Sequence, residues 1–271
     1  MMRGGRIWNQ MYRKFMMIMS SLVCVTQSML FSVLPWVLSW AAFVNSRLGD
    51  DQTITDLTQA IRLTPGNPSL FRSRGNKHLK RGDHDRAIAD FSEAIRLDPK
   101  SADAYGGRGE ARRLKGDHDR AIADYNEAIR INPKSADAYW GRGDAWRMKE
   151  DHDRAIADFS KAIRLDPKSA DAYEGRGHVW RFKGDHDRAI ADYGEAIRLD
   201  PKSPVSYEGR GCAWYAKNDP DRAIADFSEA IRLDPAYVEA YSNRGIALNH
   251  KGEFDKAAAD FEKASRLGPK N

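Results

Sequence analysis

The sequence GDHDRAIAD occurs three times, at 82–90, 116–124 and 184–192, and places a histidine between two aspartates each time. An imidazole beside carboxylates can bind a metal ion or transfer a proton. The copies start 34 and then 68 residues apart, and His152 stands at the same phase in a related copy. This fixed period predicts tandem structural units rather than one assembled active centre.

Geometry excludes a metal ion shared between units. Helices in neighbouring units pack about 8–10 Å apart, whereas two imidazole nitrogens on one zinc ion lie within about 4 Å of each other. Within a unit, Asp83 stands where a helix N-cap is expected, and Asp85 adds negative charge to the first helical turn. We therefore predict no metal, no cofactor, no catalytic residue and no enzymatic activity.

Units of 34 residues follow one another without insertion, as in ADAYGGRGEARRLKGDHDRAIADYNEAIRINPKS at 102–135. Each unit predicts two helices: the first begins near an aromatic residue and ends near a glycine such as Gly116, and the second ends before a proline such as Pro133. Alanine and large apolar residues recur three and four positions apart in the second helix, which gives it one apolar face. The predicted boundaries are 49–67 for a half unit containing only a second helix, then 68–101, 102–135, 136–169, 170–203, 204–237 and 238–271.

The recurring residues resemble the tetratricopeptide repeat family over residues 50–271. In the unit at 170–203 the matching residues are Tyr173, Gly177, Ala189, Tyr193, Ala196 and Pro201. The family's usual leucine before the glycine is arginine in all six units, and its usual tyrosine before the aspartate is histidine in four. The resemblance implies an all-α fold: a right-handed superhelical solenoid of helix-turn-helix units, whose first helices line a concave face that commonly holds a peptide or partner helix.

The N-terminal segment, 1–48, differs from the repeats because it is basic and contains a charge-free stretch at 15–44. That stretch is longer than the roughly 20 residues that a helix needs to cross a bilayer core. The positive-inside rule then predicts one hydrophobic helix in the membrane, a cytoplasmic N-terminus and repeats on the extracytoplasmic side. Two alternatives stay open: a signal peptide cleaved near Ala41, which would leave a secreted protein, and a buried helix of the repeat domain.

The charge distribution argues against a nucleic-acid partner. The net charge of +5 arises within residues 1–48, which leaves 39 basic and 39 acidic side chains in the rest of the chain. A chain without a basic face lacks what phosphate binding requires. The two cysteines, Cys24 and Cys212, cannot build a disulfide framework or a cysteine-based zinc site.

An arginine recurs in every first helix, and an aspartate recurs sixteen positions later in the second helix. Two antiparallel helices with a turn between them would bring these side chains together. We therefore predict ion pairs within the units rather than a row of arginines open to an anion. The pairs are Arg74–Asp90, Arg108–Asp124, Arg142–Asp158, Arg176–Asp192, Arg210–Asp226 and Arg244–Asp260.

Positions of the first helix that vary between units are where a ligand would be recognised, because packing accounts for the constant ones. These positions form an acidic strip beside a basic row, and Trp140 stands where neighbouring units have glycine and glutamate. The predicted groove residues are Asp103, Glu110, Arg113, Trp140, Asp144, Arg147, Glu174, His178, Arg181, Glu208 and Tyr215. We expect a peptide or helix of mixed charge with an apolar side chain on Trp140, so that Trp140→Ala costs about 2 kcal/mol of affinity and little fold stability. The alternative is a solvated charged face.

The predicted function is a membrane-tethered, non-catalytic interaction scaffold that binds a protein partner. The alternative is a structural spacer that holds or oligomerises envelope components without a defined peptide site. A groove substitution that abolishes partner capture but leaves stability and assembly intact would distinguish the two.

Overall fold

Helices account for the regular structure of residues 52–268, the part of the chain that the computed structural model describes. This range contains thirteen helices and no strand. They are α1 (52–63), α2 (Pro68–Lys80), α3 (His84–Leu97), α4 (Ala102–Leu114), α5 (His118–Ile131), α6 (Ala136–Met148), α7 (His152–Leu165), α8 (Ala170–Phe182), α9 (His186–Leu199), α10 (Pro204–Ala216), α11 (Pro220–Leu233), α12 (Val238–His250) and α13 (Phe254–Leu267). The prediction of an all-α repeat fold is confirmed for this range.

The contacts separate one compact unit, which contains α2 to α13, from the part of the chain that precedes residue 60. The predicted membrane segment at 15–44 and the cleavage position near Ala41 lie outside the described residues. Among the helices of residues 52–268, none has both the length and the apolar composition needed to cross a membrane.

The second helices of the units start at the aspartate that the sequence marks as an N-cap. The side chain of Asp117 accepts a hydrogen bond from the backbone N–H of Arg120, and Asp119 follows in the first turn. The same cap forms at Asp83, Asp151, Asp185 and Asp219. The capping explanation for the repeated aspartates is therefore confirmed in five units, whereas Glu253 makes no such bond in the last.

The turn inside each unit requires a residue with positive φ, a conformation that glycine adopts without steric cost. Gly116 has a φ of 81°, and three other units also use glycine. In the two remaining units the residues are Glu150 and Asn218, both with a φ of 61°. The turn is therefore preserved where the glycine is replaced.

Each first helix packs against the second helix of its own unit, and that second helix packs against the first helix of the next. First helices of adjacent units also contact each other, from α2 through α12, whereas second helices of adjacent units in the described range do not. The first helices are therefore closer together and line the inner side of the solenoid. We call the surface that they form the inner face.

Candidate functional site

The repeated Gly-Arg-Gly sequence in the first helices forms the seam between units. Phe91 of α3 is fully buried, and a Cβ added to Gly107 of the next unit would lie 2.5 Å from its ring. A Cβ on Gly75, in the same unit as Phe91, would lie 3.2 Å from the ring on another side. The two glycines therefore make room for one aromatic ring, which is a packing role rather than phosphate binding.

The arginine of the Gly-Arg-Gly sequence forms an ion pair within its own unit and a hydrogen bond to the preceding unit. Arg108 donates to both carboxylate oxygens of Asp124 in its own unit, and its Nη1 donates to Ser92 of the preceding unit at 3.1 Å. All six predicted Arg–Asp pairs are present at 2.7–2.8 Å. The aspartates are buried and the arginines are mostly buried, so these residues belong to the fold and not to an anion site.

The histidines of the GDHDRAIAD sequences are the first residues of the second helices. Asp85, beside His84, forms an ion pair with Lys115 of the next unit at 2.6 Å. Equivalent Lys–Asp pairs join the following units. Within residues 52–268, no three histidine, cysteine or acidic side chains are grouped so that they could hold a metal ion.

A cleft of about 520 Å³ lies on the inner face between the first helices α2, α4 and α6. Its lining includes the predicted groove residues Asp103, Glu110 and Trp140. Asp137 and Asp171 also line it, and Arg72 is the basic residue of the lining, paired with Asp103 at 3.2 Å. The cleft is therefore predominantly acidic.

Four of the predicted groove residues form one ion-pair network beside this cleft. Arg113 donates to Glu110 in its own helix at 2.7 Å and to Asp144 of the next unit at 2.5 Å. Arg147 pairs with Asp144 at 2.7 Å. Two cations thus face two carboxylates, so the acidic strip and the basic row neutralise each other here instead of facing solvent separately.

The aromatic residue of the second helix contributes to this network in one unit. The Tyr125 hydroxyl donates to Glu110 at 2.9 Å, and burial followed by the Glu110 charge raises the pKa of Tyr125 well above its usual value. The sequence pattern places this aromatic position on the apolar face of the second helix. One repeat position is Phe91 in one unit and Tyr125 in the next. This difference was the sequence feature that indicated a hydroxyl on the inner face.

Trp140 is packed more deeply than the sequence suggests. Its ring contacts two clusters of buried residues, one containing Phe159 and the other Ile163. The Arg113 guanidinium lies 5.3 Å from the ring centroid, and the indole N–H is buried without a hydrogen-bond partner among the described residues. The expectation that Trp140→Ala costs little fold stability therefore conflicts with this packing, since truncation would leave a cavity.

The remaining predicted residues lie further along the inner face and do not line the cleft. Glu174 accepts hydrogen bonds from the hydroxyls of Ser203 and Ser206 at 3.0 and 2.5 Å. Glu208 accepts from Asn243 at 2.7 Å and from the Cys212 thiol. These carboxylates are therefore engaged by neutral donors of the fold itself.

His178, in this further part of the inner face, is partly buried. Burial, and then the charges of Arg147 and Arg181, lower the pKa of His178 to about 4. His178 stacks on Phe182 with ring centroids 4.7 Å apart. The Tyr215 ring lies edge-on to His250 at 5.7 Å.

Burial and Glu208 raise the pKa of the Cys212 thiol, which keeps it protonated and poorly nucleophilic.

Comparison with known proteins agrees with the repeat fold. A tetratricopeptide repeat family model matches residues 72–136, 115–170, 149–204 and 209–271. A tetratricopeptide repeat protein from Parabacteroides merdae superposes with a TM-score of 0.65 at 22% identity, over 88% of this chain and 94% of that one. No match was found among curated proteins.

Two other solved structures are similar to parts of the chain. MamA shares 28% identity at a TM-score of 0.55, over 59% of this chain and 93% of its own. YrrB, a TPR protein with an unusual peptide-binding site, shares 21% identity at a TM-score of 0.56, over 72% of this chain and 97% of its own. With the family model matching most of the sequence, the chain belongs to the tetratricopeptide repeat family.

Proposed function

We propose that the protein is a non-catalytic scaffold that binds a peptide or helix of a partner protein on its inner face. The observation that carries the proposal is the cleft of about 520 Å³, which opens where residues differ between units. By contrast, the Gly-Arg-Gly residues and the Arg–Asp pairs, which recur in the units, are used in packing. Residues that the fold does not need to repeat are free to recognise a partner.

The similarity to YrrB gives limited support to this proposal. Its identity of 21% shows a shared fold, and the peptide-binding site belongs to that protein. The peptide-binding positions proposed for this chain are inferred instead from its own cleft and from the groove residues named above. Trp140 supplies an aromatic surface at the edge of that cleft, and aromatic side chains often dominate binding energy at interfaces.

Site-specific photo-crosslinking tests partner binding without assuming the partner's chemistry. A photoreactive residue at Asn76, which lines the cleft, is compared with one at Ala123, an exposed residue of the second helix α5. We expect one defined protein to crosslink from Asn76 and not from Ala123. Equal labelling from both positions, or none from Asn76, would contradict a groove function and favour the structural spacer.

The membrane tether is a second part of the proposal, and the charge-free residues 15–44 support it. We expect the chain to remain in the membrane after alkaline carbonate extraction, and protease added outside the cytoplasmic membrane to digest the repeats. Mass spectrometry of the mature N-terminus separates the alternatives. A soluble protein that begins just after Ala41 would replace the anchor with a cleaved signal peptide.

A further inference from the structure

A row of exposed apolar side chains crosses three adjacent units. Leu114, Met148 and Phe182 are the last residues of α4, α6 and α8 and occupy the same position in their units. They are 46%, 50% and 60% exposed. We call this row the apolar rim. Exposed apolar residues that recur side by side, rather than singly, are typical of a surface that another molecule covers.

The apolar rim belongs to the inner face. Phe182 stacks on His178, and the Met148 sulfur lies 3.3 Å from an Arg147 nitrogen of the ion-pair network. Residues four positions apart share a helix face, so Leu114 lies on the same side of α4 as Glu110, which lines the cleft. The rim therefore borders the groove at the C-terminal ends of the first helices.

The opposite border of the groove is acidic. Asp103, Asp137 and Asp171 are the second residues of the same three helices, and all are exposed. We call them the acidic rim. Asp103 pairs with Arg72, whereas none of the cations in residues 52–268 forms an ion pair with Asp137 or Asp171. Two carboxylates of the cleft thus remain available to a cation from outside.

Between the two rims, the part of the groove formed by α4 and α6 carries no net charge. Glu110 and Asp144 face Arg113 and Arg147 in the network described above. A ligand there meets charges that are already paired, whereas it meets unpaired carboxylates at one border and apolar side chains at the other. Recognition by charge is therefore concentrated at the acidic rim.

The distance between the two rims is large enough to hold a helix with its side chains. Leu114 follows Asp103 by eleven positions, which corresponds to about 16 Å along α4 at 1.5 Å per residue. An α-helix with side chains is about 10–12 Å wide, so it fits between the two rims. Three first helices spaced about 8–10 Å apart give rims of about 20 Å, the length of roughly 13 helical residues.

We propose that the occupant of this groove is an amphipathic helix of a partner protein, with lysine or arginine along one edge and large apolar side chains along the other. The basic edge lies on the acidic rim, and the apolar edge lies on the apolar rim. This inference rests on the proposed function and specifies the chemistry of its partner. Opposite charges across the interface fix the orientation of the helix, and the apolar contacts supply affinity.

Binding of two designed peptides to the full chain tests the proposal. The first probe is an 18-residue helix with lysine on one face and leucine on the opposite face, and the second carries glutamate in place of each lysine. We expect fluorescence anisotropy to show tighter binding of the lysine probe, with an affinity that falls as salt is added. The double variant Asp137→Asn/Asp171→Asn should weaken that binding about tenfold.

Asp255→Asn is the matched control. Asp255 is also the exposed second residue of a helix, α13, and it has no ion pair among the described side chains, but it lies in the last unit. It should leave the affinity for the lysine probe unchanged. Phe182→Ser should weaken the binding of the lysine probe and thereby test the apolar rim separately from the acidic rim.

Three results would overturn the inference: no binding of the lysine probe, equal binding of the glutamate probe, or an equal effect of Asp255→Asn and the double variant. These results would not contradict the proposed function. Crosslinking from Asn76 assumes nothing about ligand charge, so a defined partner captured there would uphold the groove and assign it a different ligand. Failure of both experiments would remove both claims.

Discussion

The seam between units and the inner face differ in how they use the repeat. At the seam the same contact recurs, with an aromatic ring of one unit lying against a glycine of the next, as with Phe91 and Gly107. On the inner face one position is Glu110, Asp144, His178 and Cys212 in successive units. Repetition therefore reports packing constraints, and variation marks positions that the fold leaves free.

The last unit shows that the seam requires a following unit. The ring equivalent to Phe91 is fully buried in the inner units, as at Phe159, but Phe261 in the last unit is 41% exposed. Its own glycine, Gly245, is present, whereas no first helix follows it in the described range. Each ring is therefore buried from both sides only within the array.

The largest effect is expected from filling the seam. Gly107→Leu would place a side chain into the fully buried ring of Phe91, which has no room to move, so we expect a loss of about 3 kcal/mol in the free energy of unfolding. Gly106→Leu is the control, because a Cβ there meets no atom within 4 Å. Urea unfolding measures both, and equal losses would contradict the seam account.

A smaller loss is expected from breaking one buried ion pair of the fold. Asp158→Asn leaves the mostly buried Arg142 guanidinium without its carboxylate, and we expect a loss of about 2 kcal/mol. Asp153→Asn, in the same helix, removes a carboxylate that pairs with Lys183 in solvent and should cause no measurable change. Similar losses for the two variants, measured by urea unfolding, would show that burial does not separate them.

A pH effect is expected on the inner face, because His178 has a folded-state pKa of about 4. An unfolded histidine titrates near 6.5, so between these values the unfolded chain binds the additional proton. The free energy of unfolding should therefore fall as the pH drops below about 6.5, and this contribution should be fully lost near pH 4. Partial exposure of the ring limits it to about 1 kcal/mol.

Comparison of the wild-type chain with His178→Gln isolates that contribution. The difference in unfolding free energy between pH 7 and pH 5 should be about 0.6 kcal/mol larger for the wild type, because this interval covers about three fifths of the His178 contribution. The other histidines stay in both chains, so their effects cancel. Parallel pH profiles would mean that His178 titrates normally and is not buried among the cations of the inner face.

The fold could be predicted from the sequence because its determinants are local and periodic. The Asp117 cap, the Gly116 turn and the Arg108–Asp124 pair each depend on residues within one unit, and each recurs at a fixed position. A side chain that must occupy the same place in every unit shows as a constant letter. The inner-face chemistry was partly identified because variable positions point to it.

The pairing of groove charges could not be predicted because it depends on the conformations of side chains that reach from one unit to the next. Arg113 bridges residues of two units, and no repeat position shows that Asp144 neutralises it. Trp140 is buried by clusters of residues from its own unit and the next unit. The identity of one aromatic residue in the sequence does not show how far its side chain is buried. Trp140→Phe is therefore a better probe than Trp140→Ala, because it preserves most of the packing.

The central claim is that the variable inner face binds a partner and that the repeated seam builds the fold, and Gly106→Trp tests it most directly. Gly106 lines the cleft, and a Cβ there meets no neighbouring atom, so tryptophan would fill the cleft without disturbing the core. Ala123→Trp is the control, because it adds the same ring at an exposed position on the second helix α5. The measurement is partner crosslinking from Asn76, with the melting temperature recorded for each variant. We predict that Gly106→Trp abolishes crosslinking at an unchanged melting temperature while Ala123→Trp keeps it, and full crosslinking in Gly106→Trp would contradict the account.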